Sequence, residues 1–330
     1  MENNKKIIFS GMQPSGTPTL GNYLGALKNW NIMQKDYRCL FSVVDLHALT
    51  VRREPKELRQ ASLSLMALYI ALGLDPSENI IFYQSQVPQH TQLSWILNCY
   101  AYVGELNRMT QYKEKSAKHS ENINSGLFTY PVLMASDILL YQTDCVPVGE
   151  DQRQHLEIAR DIAIRFNNIY GETFKVPESY IGKAGARVMG LQDPEKKMSK
   201  SGDDAISILD DPKVIMNKVK RAVTDSDARV YYDPSNKPGI SNMLNIYSAI
   251  TGKSIEECSE EFAGAGYGDF KKTVGEVIIN ELEPVQKKYN ELISNKDYLN
   301  SIAKEGAEKA QNLAFRTYNK VCKKIGLIQI

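Results

Sequence analysis

The chain has 330 residues, of which 42% are hydrophobic and 24% charged, and its 40 basic and 39 acidic residues give a net charge of +1. This composition is typical of a globular protein and excludes the disordered, collagen-like and coiled-coil classes. A net charge near zero argues against a protein whose whole surface binds nucleic acid, although local basic patches stay possible. The length favours two domains over one.

The cysteines and the apolar runs indicate where the protein works. The five cysteines are Cys39, Cys99, Cys145, Cys258 and Cys322. No two of them form a Cys-x-x-Cys pair, so we expect no zinc or iron–sulfur site, no redox dithiol and no structural metal. The first apolar run is too short for a signal peptide, and no run approaches the roughly 20 apolar residues of a membrane span. These features predict a cytoplasmic protein with no membrane partner.

The first 190 or so residues alternate β-rich runs with amphipathic helical patterns. The predicted strands are 6–10, 39–45, 79–84, 144–148 and 187–191, and the clearest predicted helices are 56–72 and 152–167. Alternation of apolar strands with helices is typical of a parallel sheet that is covered by helices on both faces. The sequence therefore predicts an α/β domain over residues 1–195.

The pattern changes after Pro194. Residues 196–205 read as a polar, mobile loop, and the predicted elements beyond it are helices at 211–222, 240–250, 254–263, 269–294 and 298–325. We expect residues 206–330 to form a mostly helical domain whose last helix could pack back on the first. The end of the chain, from Lys309 to Ile330, has five basic residues and no acidic one. It is either the solvated face of a helix or a surface that faces phosphates.

Ligands of open parallel sheets bind beyond the carboxyl ends of the strands. The segments that follow the predicted strands, at 10–27, 45–50, 84–90 and 149–155, concentrate Gly, Gln, Asp and His. In the first of them, glycines between Gly11 and Gly25 flank a loop that runs into a helix near Asn22, an arrangement that suits phosphate. The loop matches neither the GxGxxG nor the GxxxxGK[ST] pattern, which argues against a Rossmann dehydrogenase and a P-loop NTPase.

A second polar segment complements the first loop. Residues 196–202 read KKMSKSG, and three lysines on a movable loop could stabilise the charge of a pyrophosphate leaving group. Taken alone, the segment could equally be an exposed charged turn.

The two loops together resemble the signature pair of class I aminoacyl-tRNA synthetases, and the wider sequence resembles bacterial tryptophanyl-tRNA synthetases. Thr19–Asn22 stands where the class has His-Ile-Gly-His, and Lys197–Ser201 is an intact Lys-Met-Ser-Lys-Ser. The other matching segments are 11–16, 21–26, 104–111, 113–116, 130–141, 146–152, 222–226 and 238–242. Thr19 and Asn22 replace both histidines of the class motif, and both can donate hydrogen bonds to phosphate only more weakly than an imidazolium.

The resemblance implies a Rossmann-like catalytic domain with a helical anticodon-binding region. It implies that ATP activates L-tryptophan to tryptophanyl-adenylate with release of pyrophosphate, and that the tryptophanyl group then passes to tRNA(Trp). Mg²⁺ would arrive with ATP as part of the substrate, and the enzyme would be a homodimer. Three alternatives stay open at this point: a tyrosyl-tRNA synthetase, a catalytically silent paralogue that binds amino acid or RNA, and a small nucleotidyltransferase.

The same resemblance implies a set of site residues. The catalytic cations would be Lys115, Lys197 and Lys200. The ATP site would comprise Gln13, Pro14, Ser15, Thr19, Gly21, Asn22, Gly149, Glu150, Asp151, Val188, Lys197, Met198, Ser199, Lys200 and Ser201. The tryptophan site would comprise Phe9, His47, Tyr130, Met134, Asp137 and Gln152.

The spacing within the tryptophan set has a meaning of its own. Met134 and Asp137 are three residues apart and therefore share a face of a helix. An apolar surface beside a hydrogen-bond acceptor suits an indole, which needs its ring buried and its N–H paired. Simpler explanations also exist: Asp151 could cap the helix that begins at Gln152, and His47 could be a structural histidine.

Overall fold

The computed structural model describes residues 5–113, 123–149, 152–180, 185–199, 202 and 204–328. Five of the predicted site residues lie outside these ranges. They are Lys115, Glu150, Asp151, Lys200 and Ser201.

The described strands form one parallel sheet. They are β1 (Ile7–Met12), β2 (Arg38–Val43), β3 (Ile80–Tyr83), β4 (Cys145–Val146) and β5 (Glu178–Ser179). Their order is β3-β2-β1-β4-β5, and every neighbouring pair is parallel. All of β3 and all of β2 except Arg38 are buried, as expected for strands that are covered on both faces. The predicted parallel α/β sheet and its first four strands are confirmed.

The fifth predicted strand is wrong. Residues 187–191 form no sheet strand and make a single antiparallel bridge, between Met189 and Lys197. The fifth strand is instead Glu178–Ser179, whose two exposed residues carry no apolar pattern that could mark it. The run at 187–191 is apolar because Val188 and Leu191 are buried at 0% and 2% exposure, in packing outside the sheet.

Helices cover the sheet and make up most of the rest of the described chain. They are α1 (Leu20–Gly25), α2 (Trp30–Asp36), α3 (Asp45–Ala48), α4 (Pro55–Ala71), α5 (Gln89–Asn98), α6 (Val103–Asn107), α7 (Ser125–Leu139), α8 (Arg153–Tyr170), α9 (Pro212–Lys220), α10 (Pro238–Thr251), α11 (Ile255–Glu261), α12 (Tyr267–Ser294) and α13 (Lys296–Ile325). The seven helices predicted from the sequence are therefore present, with ends shifted by a few residues. None of the helices in the described ranges is long and apolar enough to cross a membrane.

The second half of the chain is fastened to the first by polar contacts as well as by a shared core. Glu281 of α12 accepts a hydrogen bond from the Tyr23 hydroxyl of α1 at 2.8 Å and pairs with Lys28 at 2.9 Å. One apolar cluster runs from Ile8 in β1 to Ala303 in α13 without interruption by the polar loop. The helical region thus holds α1, the helix that follows the first loop.

Helix α13 returns to the sheet and lies along the edge strand β3. A methyl group added at Gly306 would stand 1.8 Å from the carbonyl oxygen of Ile81, so only glycine permits this approach. Further along, Lys320 donates to the carbonyl of Thr173 at 3.1 Å, and Lys324 donates to the carbonyl of Tyr170 at 2.7 Å. Two of the five basic residues in this stretch therefore stabilise the packing of α13 on the end of α8.

Candidate active site

Two adjoining cavities open at the point where the strand order reverses. The chain moves from β1 to β2 and β3 on one side, and β4 then pairs with the opposite edge of β1. The loops that leave β1 and β4 therefore diverge and leave a crevice between them, which is where open α/β sheets bind ligands. An inner cavity of about 300 Å³ and an outer one of about 540 Å³ share Ser10, Gly11, Met12, Pro147 and Val148 as walls.

The inner cavity gathers the whole predicted tryptophan set. Its lining includes Phe9, His47, Tyr130, Met134, Asp137 and Gln152. These residues come from β1, α3, α7 and the start of α8, so only the folded sheet brings them together. Met134 and Asp137 share one face of α7, as their spacing predicted.

Asp137 lies at the centre of a buried hydrogen-bond network. Its Oδ1 accepts from Gln84 Nε2 at 2.7 Å and from His90 Nδ1 at 2.6 Å, and its Oδ2 accepts from His47 Nε2 at 2.8 Å. Asp137 is only 1% exposed. Burial by itself would raise its pKa, but the hydrogen bonds and charges of His47 and His90 outweigh burial and hold the pKa of Asp137 below its usual value. The carboxylate is therefore ionised at neutral pH.

The network also determines where its protons are. An ionised carboxylate only accepts, so the nitrogens of His47 and His90 that face Asp137 must carry hydrogen. The other nitrogen of His90 lies 2.7 Å from the Tyr141 hydroxyl. Burial and the charge of Asp137 raise the pKa of Tyr141 well above its ordinary value, so this hydroxyl is protonated at neutral pH.

Several residues that line this cavity or support its walls from behind were not predicted from the sequence. Gln84 and His90 are fully buried behind Asp137, and His155, buried on α8, lies 2.6 Å from the Tyr130 hydroxyl. Gln111 also lines the cavity. The signal was present for three of them, because Gln84, His90 and His155 belong to the polar segments that follow β3 and β4. Nothing in the sequence showed that His47, Gln84 and His90 meet around one carboxylate.

The outer cavity is built around the first loop and α1. Asn22 and Gly149 from the predicted ATP set line it, together with Pro18 and Arg153, of which Arg153 was not predicted. Gln13 lines the inner cavity. Pro14 and Ser15 line neither of the two, and the Ser15 amide donates to the Gln13 carbonyl in a tight turn at 2.8 Å.

Thr19 and Asn22 act on each other at the start of α1. The Thr19 side chain accepts from the Asn22 amide at 3.3 Å, and the Asn22 side chain accepts from the Thr19 amide at 3.0 Å. This reciprocal capping box satisfies two amides at the helix start. Thr19 is only 3% exposed, so its hydroxyl serves the helix cap, whereas Asn22 lies on the cavity wall.

The lysine loop begins on a short antiparallel hairpin beside α1. The Met198 amide donates to the Val188 carbonyl at 3.1 Å, and a methyl group added at Gly21 would stand 3.5 Å from the Cβ atoms of both residues. Lys196 is held by Asp193, with 2.7 Å between Nζ and Oδ2. Lys197 is exposed and has no ion-pair or hydrogen-bond partner among the described residues, which leaves its charge available to a ligand.

Comparison with known proteins identifies the family. The family model described as tRNA synthetases class I (W and Y) matches residues 1–283. A tryptophan–tRNA ligase of Clostridium tetani is 56% identical over 331 residues, which cover 99% of this chain and 98% of the relative.

Solved structures give the same result. The tryptophanyl-tRNA synthetase of Campylobacter jejuni, complexed with ADP and tryptophan, is 37% identical with a TM-score of 0.86 over 97% of this chain and all of its own. The enzyme of Mycoplasma pneumoniae is 34% identical with a TM-score of 0.88 over 98% of both chains. The chain belongs to the class I aminoacyl-tRNA synthetases. Within that class it belongs to the tryptophan–tRNA ligases, and the tyrosine alternative is set aside.

The Asp137 network predicts a large stability effect. Asp137→Asn replaces one carboxylate oxygen, which accepts hydrogen bonds, by an NH2 group, which donates them. At least one of the donors Gln84, His47 and His90 then loses its acceptor. We expect the free energy of unfolding at pH 7 to fall by about 3 kcal/mol, as for other broken buried pairs. Chemical denaturation measures it, and the control Asp193→Asn, at an exposed pair, should change it little.

The same comparison has a pH dependence of known sign. Because the folded pKa of Asp137 is lowered, its stabilising effect is complete above its unfolded pKa of about 4 and is lost as the pH falls through the folded value. The difference between wild type and Asp137→Asn should therefore shrink below about pH 4. A difference that grows on acidification would contradict the assignment of Asp137 as an ionised acceptor.

Proposed function

We propose that the chain activates L-tryptophan with ATP to tryptophanyl-adenylate and pyrophosphate, and then transfers the tryptophanyl group to tRNA(Trp). The observation that carries this proposal is the inner cavity, where an ionised buried acceptor stands on an apolar wall next to a second cavity beside the start of α1. The Campylobacter jejuni relative, whose structure holds ADP and tryptophan, supports an adenine nucleotide and tryptophan as the two ligands.

The indole ring would occupy the inner cavity between Phe9 and Met134. Oδ1 of Asp137 already accepts two hydrogen bonds, whereas Oδ2 accepts one from the described residues. A carboxylate oxygen has two lone pairs, so Oδ2 is the atom that can receive the indole N–H. An analogue that cannot donate a hydrogen bond there would leave this buried carboxylate oxygen unpaired. A site of this kind discriminates strongly against such analogues.

ATP would bind in the outer cavity, with its phosphates near the start of α1. The attacking tryptophan carboxylate is already ionised, so adenylate formation needs no general base, and catalysis depends on positioning and on charge around the phosphates. Lys197, with Lys200 and Lys115, would supply that charge, and Mg²⁺ would enter with ATP. The described residues contain no cluster of three or more His, Cys, Asp and Glu side chains that could hold a metal.

The remaining ATP contacts would be those that the resemblance to the family implies. Gly149, with Glu150 and Asp151, would hold the ribose hydroxyls. Val188 would meet the adenine through its backbone. The Val188 carbonyl already accepts from Met198, so its amide is the group that would donate to the base.

Residues 206–330 would bind the tRNA anticodon, with basic residues on the phosphates. The structure narrows the candidates, because Lys218 pairs with Asp210 at 2.8 Å and Lys309 pairs with Glu305 at 2.7 Å. The exposed candidates around α9 are Lys213, Lys220 and Arg221.

An exposed apolar patch supports a homodimer. Trp95 on α5 is 73% exposed, and Leu49, next to α3, is 60% exposed. Leu49 and Trp95 line one groove that reaches Tyr130 at the tryptophan pocket. A second copy of the chain would cover this patch, and we expect the dimer in the cytoplasm, where the five free cysteines stay reduced.

Amino-acid-dependent exchange of pyrophosphate into ATP tests the proposed reaction. Among the twenty amino acids, tryptophan should give exchange far above the others, and an analogue with sulfur in place of the ring nitrogen should lose about 10²-fold or more in kcat/KM. Exchange with tyrosine instead, or with no amino acid, would refute the proposal.

Two lysines of the loop provide a matched pair for the phosphate assignment. Lys197→Ala should lower kcat of adenylate formation by about 10²-fold with a smaller change in the ATP KM, because the charge acts on the transition state. Lys196→Ala removes the same charge from a side chain that Asp193 already holds, and should change kcat little. Equal losses in the two variants would mean that only the net charge of the loop matters.

The anticodon assignment makes a separate prediction. Replacing Lys213, Lys220 and Arg221 together by Ala should weaken tRNA charging and flatten its dependence on salt, since fewer phosphate contacts are made. Pyrophosphate exchange should be nearly unchanged. A parallel loss of exchange would show that these residues support folding or domain closure instead.

The dimer is tested by Trp95→Asp, which places a charge in the apolar patch. Sedimentation velocity should show wild type as a dimer and the variant as a monomer at the same concentration. Ile328→Asp, at an exposed apolar residue outside the patch, is the control and should sediment as wild type. A monomeric wild type would refute the proposed homodimer.

A further inference from the structure

The hairpin that carries the lysine loop is only half paired by its own backbone. The Met198 amide donates to the Val188 carbonyl at 3.1 Å, and the Gly190 amide donates to the Lys196 carbonyl at 2.8 Å. In such an antiparallel pair, the amide and the carbonyl of Met189, between these two bonds, point away from the partner strand. They would be unsatisfied without another partner.

A single side chain satisfies both groups. The Met189 amide donates to Asn242 Oδ1 at 2.9 Å, and Asn242 Nδ2 donates to the Met189 carbonyl at 3.0 Å. Asn242 is 2% exposed and lies in the second turn of α10. Its carboxamide presents one acceptor and one donor, as a residue of a neighbouring strand would. It therefore takes the place of a third strand beside the hairpin.

The helix that carries Asn242 is held firmly at this end. Gly239 lies so close to the Val223 carbonyl that an added methyl group would be 2.2 Å from it, and the Val223 amide donates to the Leu191 carbonyl at 2.8 Å. Just before the helix, the buried Lys237 ammonium lies 2.9 Å from a carboxylate oxygen of Asp225. The position of Met189 is thus set by α10 and not by the sheet.

Both neighbours of this contact belong to the proposed ATP site. Val188 precedes Met189 directly, and Lys197 is its antiparallel partner across the hairpin. A shift of Met189 would therefore displace the adenine contact and the phosphate-facing lysine together. Shifts of about 1 Å in such groups can cost about 10²-fold in rate.

We propose that Asn242 is a positioning residue for adenylate formation, which fixes the hairpin so that Val188 and Lys197 meet ATP in the correct register. This inference rests on the proposed function, and it assigns to Asn242 no contact with substrate. It also gives the helical region a direct mechanical contact with the catalytic loop.

The first experiment compares Asn242→Ala with Asn245→Ala, which removes the same carboxamide from the same helix at a half-buried position. Tryptophan-dependent pyrophosphate exchange should lose about 10-fold or more in kcat in Asn242→Ala, with a raised ATP KM. The tryptophan KM should stay constant, because no residue of the hairpin lines the inner cavity. Asn245→Ala should behave as wild type. An unchanged kcat, or a tryptophan KM that changes as much as the ATP KM, overturns the proposal.

A double-mutant cycle separates positioning from general destabilisation. If Asn242 acts through Lys197, the kcat loss caused by Asn242→Ala should shrink to less than about 3-fold when Lys197 is already Ala. A full loss in the Lys197→Ala background overturns the proposal. The activity of the wild type in this assay tests the proposed function, and the ratio of variant kcat to wild-type kcat tests the role of Asn242. A failure of the proposed function can therefore be distinguished from a failure of this inference.

If Asn242→Ala fails to fold, Asn242→Asp serves as the second variant, because its side chain has nearly the same shape as asparagine. Its carboxyl can still accept from the Met189 amide, but when ionised it cannot donate to the Met189 carbonyl. Protonation restores the donor, so kcat relative to wild type at the same pH should rise as the pH falls from 8 towards about 5. A relative kcat that is independent of pH, or that falls on acidification, overturns the proposal.

Discussion

The position of β1 is the constraint on which the site depends. It pairs in parallel with β2 on one side and with β4 on the other, so the chain leaves the two neighbouring strand ends in opposite directions. Both cavities share walls from the ends of β1 and β4, and α1 starts where the first loop ends. If both connections left these strand ends in the same direction, no crevice would open between them, and a nucleotide could not bind there beside an amino acid.

Within that crevice the decisive electrostatic fact is one buried carboxylate. Asp137 on α7 would be costly if left alone, and it is stabilised by donors that follow β2 and β3, namely His47, Gln84 and His90. The same interactions hold α3 and α5 against α7. The polar group that would select the indole is therefore also a cross-link between loops, and its orientation is fixed before any ligand arrives.

Much of this was predictable from the sequence, for a physical reason. The parallel sheet, the first loop and the lysine loop each have local patterns: apolar strand runs, glycines before a helix, and three lysines within five residues. The pairing of Met134 with Asp137 followed from helical periodicity alone. Such features depend on residues that are close together in the sequence, and a short stretch of sequence is therefore enough to predict them.

The features that sequence could not supply depend on contacts between distant segments. The partners of Asp137 lie up to 90 residues away along the chain. The apolar run at 187–191 has the pattern of a sheet strand, and only the presence of Asn242 and Lys197 on its two sides makes it a hairpin. Charge patterns have the same limit, since Lys320 and Lys324 serve backbone carbonyls of the α8 end, whereas Lys213 stays exposed. The capping box of Thr19 and Asn22 shows the converse, a local sequence pattern that caps a helix and of which only Asn22 also lies on the cavity wall.

The close approach of Gly306 to Ile81 has a consequence for how the chain folds during synthesis. Helix α13 is the last of the described elements to be made, yet it covers β3, an edge strand of the first-made sheet. Until α13 arrives, the backbone of β3 is open to pairing with other chains. Contacts of such long sequence separation also form slowly. A sheet that formed before α13 was synthesised would therefore have an uncovered edge at β3, where pairing with other chains leads to aggregation.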